Sequence, residues 1–302
     1  MFTADAHCDT LYRLTTCHYT QSQVSVTPER LVAGHVGLQT FALFSGMTDH
    51  PGTPASRAQD MLDAIPLLGV PIIRGALPDV KPDAPHGILS IEGGEILEGS
   101  LDRLHHYHNL GIRMITLTWN YENEIAHPAA GKTANNLKPF GHDLIAEMDA
   151  LGVLCDISHL NDAGSEDVFL RSKLPVIASH SNLRTITDAP RNLLPWQVHA
   201  IIEKRGFIGI NFHPGFLTTE PVATFDDILR HIDALCELGA ESVLGFGSDF
   251  DGIDSTPQNL DSPADFPALL NYLSTHGYTQ SQLEAFAGGN LWRVLKEAER
   301  GS

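Results

Sequence analysis

A chain of 302 residues is long enough for one large barrel or two ordinary domains, and 42% hydrophobic content supplies a sizeable core. With 37 acidic against 19 basic residues, the formal charge of -18 argues against binding a phosphate backbone or an anionic membrane surface. Four scattered cysteines (Cys8, Cys17, Cys155 and Cys236) form no CxxC and no disulfide framework, and Cys8 and Cys155 read as buried, reduced thiols.

The N-terminal stretch MFTADAHCDTLYRL has no basic region followed by an apolar one, so no signal peptide is expected. No run approaches the ~18 apolar residues of a spanning helix, and the charged end KEAERGS carries no lipidation signal. The cytoplasm is the expected compartment, without a membrane anchor.

Along the chain, strand-like runs alternate with helical patterns, the mark of βαβ units around a parallel sheet. The strands are expected at Thr3–Asp9, Gly37–Phe44, Gly87–Glu92, Met114–Trp119, Val153–Asp156, Val176–Ser179, Gly206–Asn211 and Val243–Ser248. Between and after them come helices over Ser56–Leu68, Leu101–Leu110 behind a Ser100 cap, and Phe140–Leu151. Asn161–Ser172 opens on an Asn cap, Pro195–Lys204 has Pro in its first turn, and Phe225–Leu238 and Gln280–Ala298 complete the set. Eight strands are the number that closes a (β/α)8 TIM-like barrel. With no linker and no repeat, the expectation is a single barrel domain over residues 1–302. An open doubly wound sheet would need a Gly-rich fingerprint after the first strand, where AHCDTLYRL stands instead.

The chemistry sits at the ends of these strands. His7 and Asp9 close the first, Glu92 the third, His159 and His180 follow the fifth and sixth, and Asp249 follows the eighth. Imidazoles and carboxylates are what a borderline divalent metal prefers, and a barrel gathers its strand ends on one rim. Each signal alone is weak: HxD pairs are common, and a lone His among 16 is more often structural. In a strand, residues two apart share a face, so His7 and Asp9 are expected to reach one ion. Gly93 and Gly94 after Glu92 allow close approach or unusual dihedrals, and a bidentate Glu92 suits a bridge between two ions; the alternative is a helix-capping acid. Asp249 in GFGSDFDGI is a candidate proton carrier, whereas Asp251 reads as a turn residue before Gly252. Two divalent ions roughly 3.5–4 Å apart would clamp a water and bring its pKa toward neutrality, so no nucleophilic Ser or Cys is needed. The chain contains no GxSxG, Walker or HExxH pattern.

HCDTLYRL, SIEGGE, ITLTWN, CDISH, VIASHSN, APRN, GINFHP, GFGSDFDG and GGNLWRVL together resemble the renal (membrane) dipeptidase family of zinc peptidases, in the family's order from Ala4 to about Leu295. The resemblance implies a binuclear zinc site, two Zn²⁺ per chain: His7, Asp9 and Glu92 on one ion, and Glu92, His159 and His180 on the other. It implies that Arg191 contacts the substrate's C-terminal carboxylate and that Asp249 meets its amino terminus and handles protons. A D-residue at the second position is tolerated in the family, and mammalian members also open a β-lactam. One position departs. Trp119 stands where mammalian members carry a substrate-binding histidine, and an indole cannot titrate; His127, nearby in sequence, is the candidate replacement.

The expected activity is therefore hydrolysis of small dipeptides, L,D-dipeptides among them, by a metal-bridging hydroxide. Glu92 and Asp249 are the catalytic carboxylates; Arg191, Asp249 and Trp119 contact the substrate. The rival expectations are an amidohydrolase-like barrel acting on other amides, lactones or N-acyl amino acids, and a metal-binding barrel without turnover. The residues leave side-chain preference, metal identity and oligomeric state open, a homodimer being one possible assembly.

Overall fold

The computed structural model describes residues 2–44, 46, 52–78, 81 and 83–301; Met1 and Ser302, the ends of the expected domain, lie outside that set. Eight parallel strands close a barrel in which each strand pairs with its neighbours in chain order and β8 returns to β1. They are β1 (Thr3–Asp5), β2 (Val36–Phe44), β3 (His86–Glu92), β4 (Ile112–Thr116), β5 (Leu154–Asp156), β6 (Val176–Ala178), β7 (Phe207–Ile210) and β8 (Leu244–Phe246). Nearly every strand residue is buried, because the barrel interior covers one face and the helices cover the other.

Alternation along each strand divides the interior into layers. Leu38, Ile88, Met114, Leu154, Ile177 and Phe207 make an apolar floor, sealed by Leu291, Val294 and Leu295 of the C-terminal helix at the spacing of one helical face. Two residues further on from Ile88 comes Ser90, and two further Glu92, so the face that starts apolar ends on a carboxylate at the rim. On β5 the same step leads from Leu154 to Asp156.

Five of the strands stop short of their expected rim ends, whereas β2, β3 and β5 reach theirs. β1 ends at Asp5 rather than Asp9, β4 at Thr116 rather than Trp119, and β8 at Phe246 rather than Ser248. After β1, β6 and β8, side chains compete for the backbone donors. The Asp5 carboxylate accepts from the amides of His7 (3.4 Å) and Ser248 (2.8 Å). That of Asp156 accepts from the amides of Ser158 and Ser179, both at 2.9 Å. Strand alternation is therefore not what brings His7 and Asp9 together, because Asp9 heads a separate short helix, Thr10–Thr15.

All seven expected helices form, with three differences. The Asn161 cap accepts from the Gly164 amide at 2.8 Å, but Ser100 makes no side-chain cap. Ser56–Leu68 is an α-helix over Pro54–Ala64 that tightens into a 3₁₀ turn. The C-terminal helix is interrupted by a wide turn at Ala285–Gly289, where Gly288 lies against β1; a Cβ there would stand 2.7 Å from the Phe2 ring. Pro28–Ala33, Pro214–Leu217 and Phe266–Thr275 are helices that the hydrophobic pattern did not reveal, although Pro28 and Pro214 at first-turn positions were a usable signal.

His231, on the helix Phe225–Glu237, ties the rim segments after β6 and β7 together. Its Nδ1 accepts from the Leu183 amide (3.1 Å) and its Nε2 meets the Leu217 carbonyl (3.0 Å). That pattern needs a neutral ring, and burial pushes its pKa from 6.5 down to about 4. The neutral form's contribution is complete above the unfolded value and drains as pH falls through 6.5 toward about 4. Urea midpoints over that interval should show wild type losing on the order of 3 kcal/mol more than His231→Gln, in which the amide replaces both bonds without titrating. Parallel pH profiles would refute the linkage.

Candidate active site

The side chains expected as ligands meet at the C-terminal rim around Glu92. Its Oε1 lies 3.0 Å from His159 Nε2 and 3.5 Å from His180 Nε2, while its Oε2 lies 3.5 Å from His7 Nε2. His7 Nε2 also reaches Asp9 Oδ2 at 3.2 Å and Asp249 Oδ1 at 3.9 Å. The His7 and His180 rings stack at 3.9 Å. Glu92 thus turns one oxygen to each half of the cluster.

Local backbone makes this crowding feasible. Gly93 takes φ +90, and Gly94 packs so closely that a Cβ would stand 2.9 Å from the Leu117 carbonyl oxygen, so both glycines have work to do. His159 (φ 66) and Asp249 (φ 64) are themselves left-handed, a conformation that costs a non-glycine residue about 1–3 kcal/mol and persists only where surroundings enforce it.

Burial and crowding set the charges. Burial pushes Asp9 up to about 6, with Glu92 adding to the effect, and pushes Asp249 up to about 7 despite the nearby His7. Burial would raise Glu92 as well, but the His7 charge and the close approach of the three imidazoles outweigh it and hold the carboxyl well below its usual range. For His7 burial opposes protonation, yet Glu92 and Asp9 override it and raise the ring's pKa. Burial, reinforced by Arg191, brings His159 down to about 4; burial, reinforced by His7, lowers His180 still more firmly. Three carboxylates therefore share a dry space with one imidazole prone to carry charge.

A cation fits this donor set. Asp9 Oδ1 is buried without a hydrogen-bond partner. The Nε2 atoms of His159 and His180 face each other at 3.1 Å while their Nδ1 atoms are engaged elsewhere, by Asn120 Oδ1 at 3.0 Å and by Ser179 Oγ at 2.7 Å. Two lone pairs so placed repel unless an electrophile lies between them. His7, Glu92 and His180 on one side, and His7, Asp9 and Asp249 on the other, each converge within 4.8 Å. Nitrogen and oxygen donors of this kind suit zinc and also manganese or cobalt.

The cluster floors a cavity of about 210 Å³, onto which Asp9, Glu92, His159 and Asp249 open. One wall is aromatic: Phe44 meets the Tyr12 ring at 5.0 Å and the Trp119 ring at 4.9 Å. His213 and Phe216, stacked at 4.4 Å, form another. Arg191 sits behind Phe216, its Cζ 5.6 Å from the ring centre, and donates to the His180 carbonyl (3.1 Å) and Ser181 Oγ (3.3 Å). Its Nε is buried and unpartnered, and burial lowers its pKa to about 10.

His127 does not open onto the cavity; it is buried beside Glu122, with Nδ1 3.2 Å from Oε2. The same cavity is also lined by Asn120, next to Trp119 in the chain, and by His213, neither singled out in the sequence. Asn211 was also missed, although GINFHP displayed it: its Nδ2 donates to Asp249 Oδ2 at 2.9 Å. Asp251 is the expected turn residue (φ 66), and its carboxylate additionally pins a loop by accepting from Thr10 Oγ1 and the Ser25 amide, both at 2.7 Å.

Comparison with known proteins points one way. The family model described as membrane dipeptidase (peptidase family M19) matches residues 82–302. A Schizosaccharomyces pombe protein named an uncharacterised dipeptidase is 34% identical over 216 residues, covering 70% of this chain and 53% of its own length. A Klebsiella pneumoniae protein encoded upstream of pqqA is 34% identical over 222 residues, covering 69% and 80% respectively. The chain thus spans about half the length of the fission-yeast relative. Among solved structures, a Rhodobacter sphaeroides metallopeptidase bound to a phosphinate mimic of L-Ala-D-Ala superposes with a TM-score of 0.89 at 25% identity, 99% of each chain covered. A family M19 metallopeptidase named dipeptidase AC superposes with a TM-score of 0.88 at 26% identity, again over 99% of each.

Gly252 backs directly onto the acidic half of the cluster: a Cβ would stand 2.2 Å from Asp9 Oδ2 and 2.4 Å from Asp249 Oδ1. Gly252→Ala should push these carboxylates apart and weaken divalent-cation binding at least about tenfold. The check is the rise in melting temperature on titrating metal into the metal-free protein; an undiminished rise would show that the cluster does not depend on this close approach.

Proposed function

The chain belongs to the membrane dipeptidase family, peptidase family M19, and from that premise we propose that it is a metal-dependent dipeptidase cleaving the single peptide bond of small dipeptides, L,D-dipeptides included. The observation that carries the reading is Glu92 with an oxygen toward each side of a buried imidazole and carboxylate cluster that opens onto a dipeptide-sized cavity. The proposed cofactor is a pair of Zn²⁺ ions, His7, Asp9 and Glu92 holding one and Glu92, His159 and His180 the other. Such a pair supplies a water of lowered pKa and a Lewis acid for the carbonyl.

The chain's own residues do the rest. Asp249, held by Asn211, receives the substrate ammonium and passes a proton to the leaving amine. Arg191, with an uncommitted Nε beside the cavity wall, anchors the carboxylate at the far end. A cation for one terminus and an anion for the other select by length, which favours a dipeptide over longer peptides. Trp119 and Phe44 give a side chain an apolar surface and keep water from the reacting carbonyl. The whole of residues 1–302 is read as one catalytic barrel domain. A cytoplasmic setting suits four thiols that are all unpaired.

A dipeptide library should yield turnover that phenanthroline abolishes and added Zn²⁺ restores, with metal content measured on the same sample. Full activity in metal-stripped protein would overturn the reading. Arg191→Ala should raise KM about 10- to 100-fold, the value of a charge-assisted hydrogen bond, with a smaller change in kcat. Substrates amidated at the C-terminus should show the same penalty in wild type and no further penalty in the variant. An unchanged KM for free dipeptides would remove Arg191 from the binding site.

A further inference from the structure

On β5 lies a fully buried carboxylate outside the cluster, Asp156, that does not line the cavity. Both its oxygens are occupied. Oδ1 accepts from the amides of Ser158 and Ser179, and Oδ2 accepts from Thr116 Oγ1 at 2.6 Å and Ser179 Oγ at 2.5 Å. Three adjacent strand ends therefore converge on one acid.

The bond from Ser179 has a consequence for its neighbour. A serine hydroxyl has one proton to donate, and here it goes to Asp156. Ser179 Oγ also lies 2.7 Å from His180 Nδ1, and toward that nitrogen it can only accept. The imidazole must then carry its hydrogen on Nδ1, which leaves Nε2 bare and directed at Glu92 and His159.

We propose that Ser179, backed by Asp156, is a positioning residue that locks His180 in the Nδ1–H form and so presents its Nε2 to the metal. The proposal rests on the metal reading above. Hydrogen bonds of this kind to a ligand's second nitrogen fix tautomer and ring orientation, and losing one typically costs 10- to 100-fold in metal affinity. Ser158 is not equivalent. Its Oγ accepts from the His180 amide at 3.2 Å but does not reach the ring.

Two measurements test the proposal. Nitrogen NMR of protein labelled at histidine should place the His180 hydrogen on Nδ1 in the metal-free wild type. Chelator competition should show Ser179→Ala binding Zn²⁺ 10- to 100-fold more weakly at one site, with Ser179→Thr recovering most of the loss and Ser158→Ala losing much less. Wild type that binds Zn²⁺ with Ser179→Ala equally tight sinks this inference and leaves the dipeptidase reading standing, whereas wild type that binds no divalent metal sinks both. Should Ser179→Ala not fold, the wild-type spectrum decides alone: a hydrogen on Nε2 overturns the proposal.

Discussion

The structure turns on the placement of one carboxylate, Glu92, at the inner rim of the barrel, touching three imidazoles and almost no water. An isolated charge there would be prohibitive, since desolvating an ion costs several kcal/mol even after the protein relaxes. Arranged among His7, His159 and His180, the same charge becomes the most stable ionised acid in the cluster. The acids around it are left under strain: Asp9 and Asp249 are both pushed toward neutrality by burial and by the charge of Glu92. Such a site is built to be completed by positive charge.

The protein supports that concentration of charge from below with acids of a different kind. Asp5 bonds to Gln39 on β2 and to Ser248 after β8, and Asp156 bonds to Thr116 on β4 and Ser179 after β6. Each is fully buried and satisfied by several donors, the condition under which a buried polar group specifies a structure rather than weakening it. Because these bonds take backbone donors away from the ladder, β1, β6 and β8 end early and the residues beyond them leave regular β geometry. His159 and Asp249, on the rim, have left-handed backbone. Apolar floor, hydrogen-bonded acid layer and open ligand layer follow one another up the barrel, so the packing that stabilises the fold lies apart from the groups that destabilise it.

Much of this was legible in the chain. Eight apolar runs at βαβ spacing determine a closed parallel barrel, because each run is buried on both faces and each helical pattern has one apolar side. The identities of His7, Asp9, Glu92, His159, His180 and Asp249 at the ends of those runs were equally visible, since closing a barrel brings its strand ends to one rim whatever lies between them. Other features were invisible for a local reason. Asn120 and His213 owe their place at the cavity to turns after β4 and β7, and neither their types nor their spacing distinguish them from ordinary loop residues. His127, attractive by its nearness to Trp119 in sequence, turns instead toward Glu122.

Sequence alone thus determined the architecture and which residues stand at the C-terminal rim, because both follow from periodicity and composition. Only the tertiary structure decided how those residues face one another: that His7 meets Asp9 beyond the end of β1 rather than along a strand, that Glu92 turns one oxygen to His7 and the other to His159 and His180, and that Ser179 faces the ring of His180. These depend on side-chain hydrogen bonds between strands tens of residues apart, and no local pattern in the chain records which donor a buried carboxylate will choose.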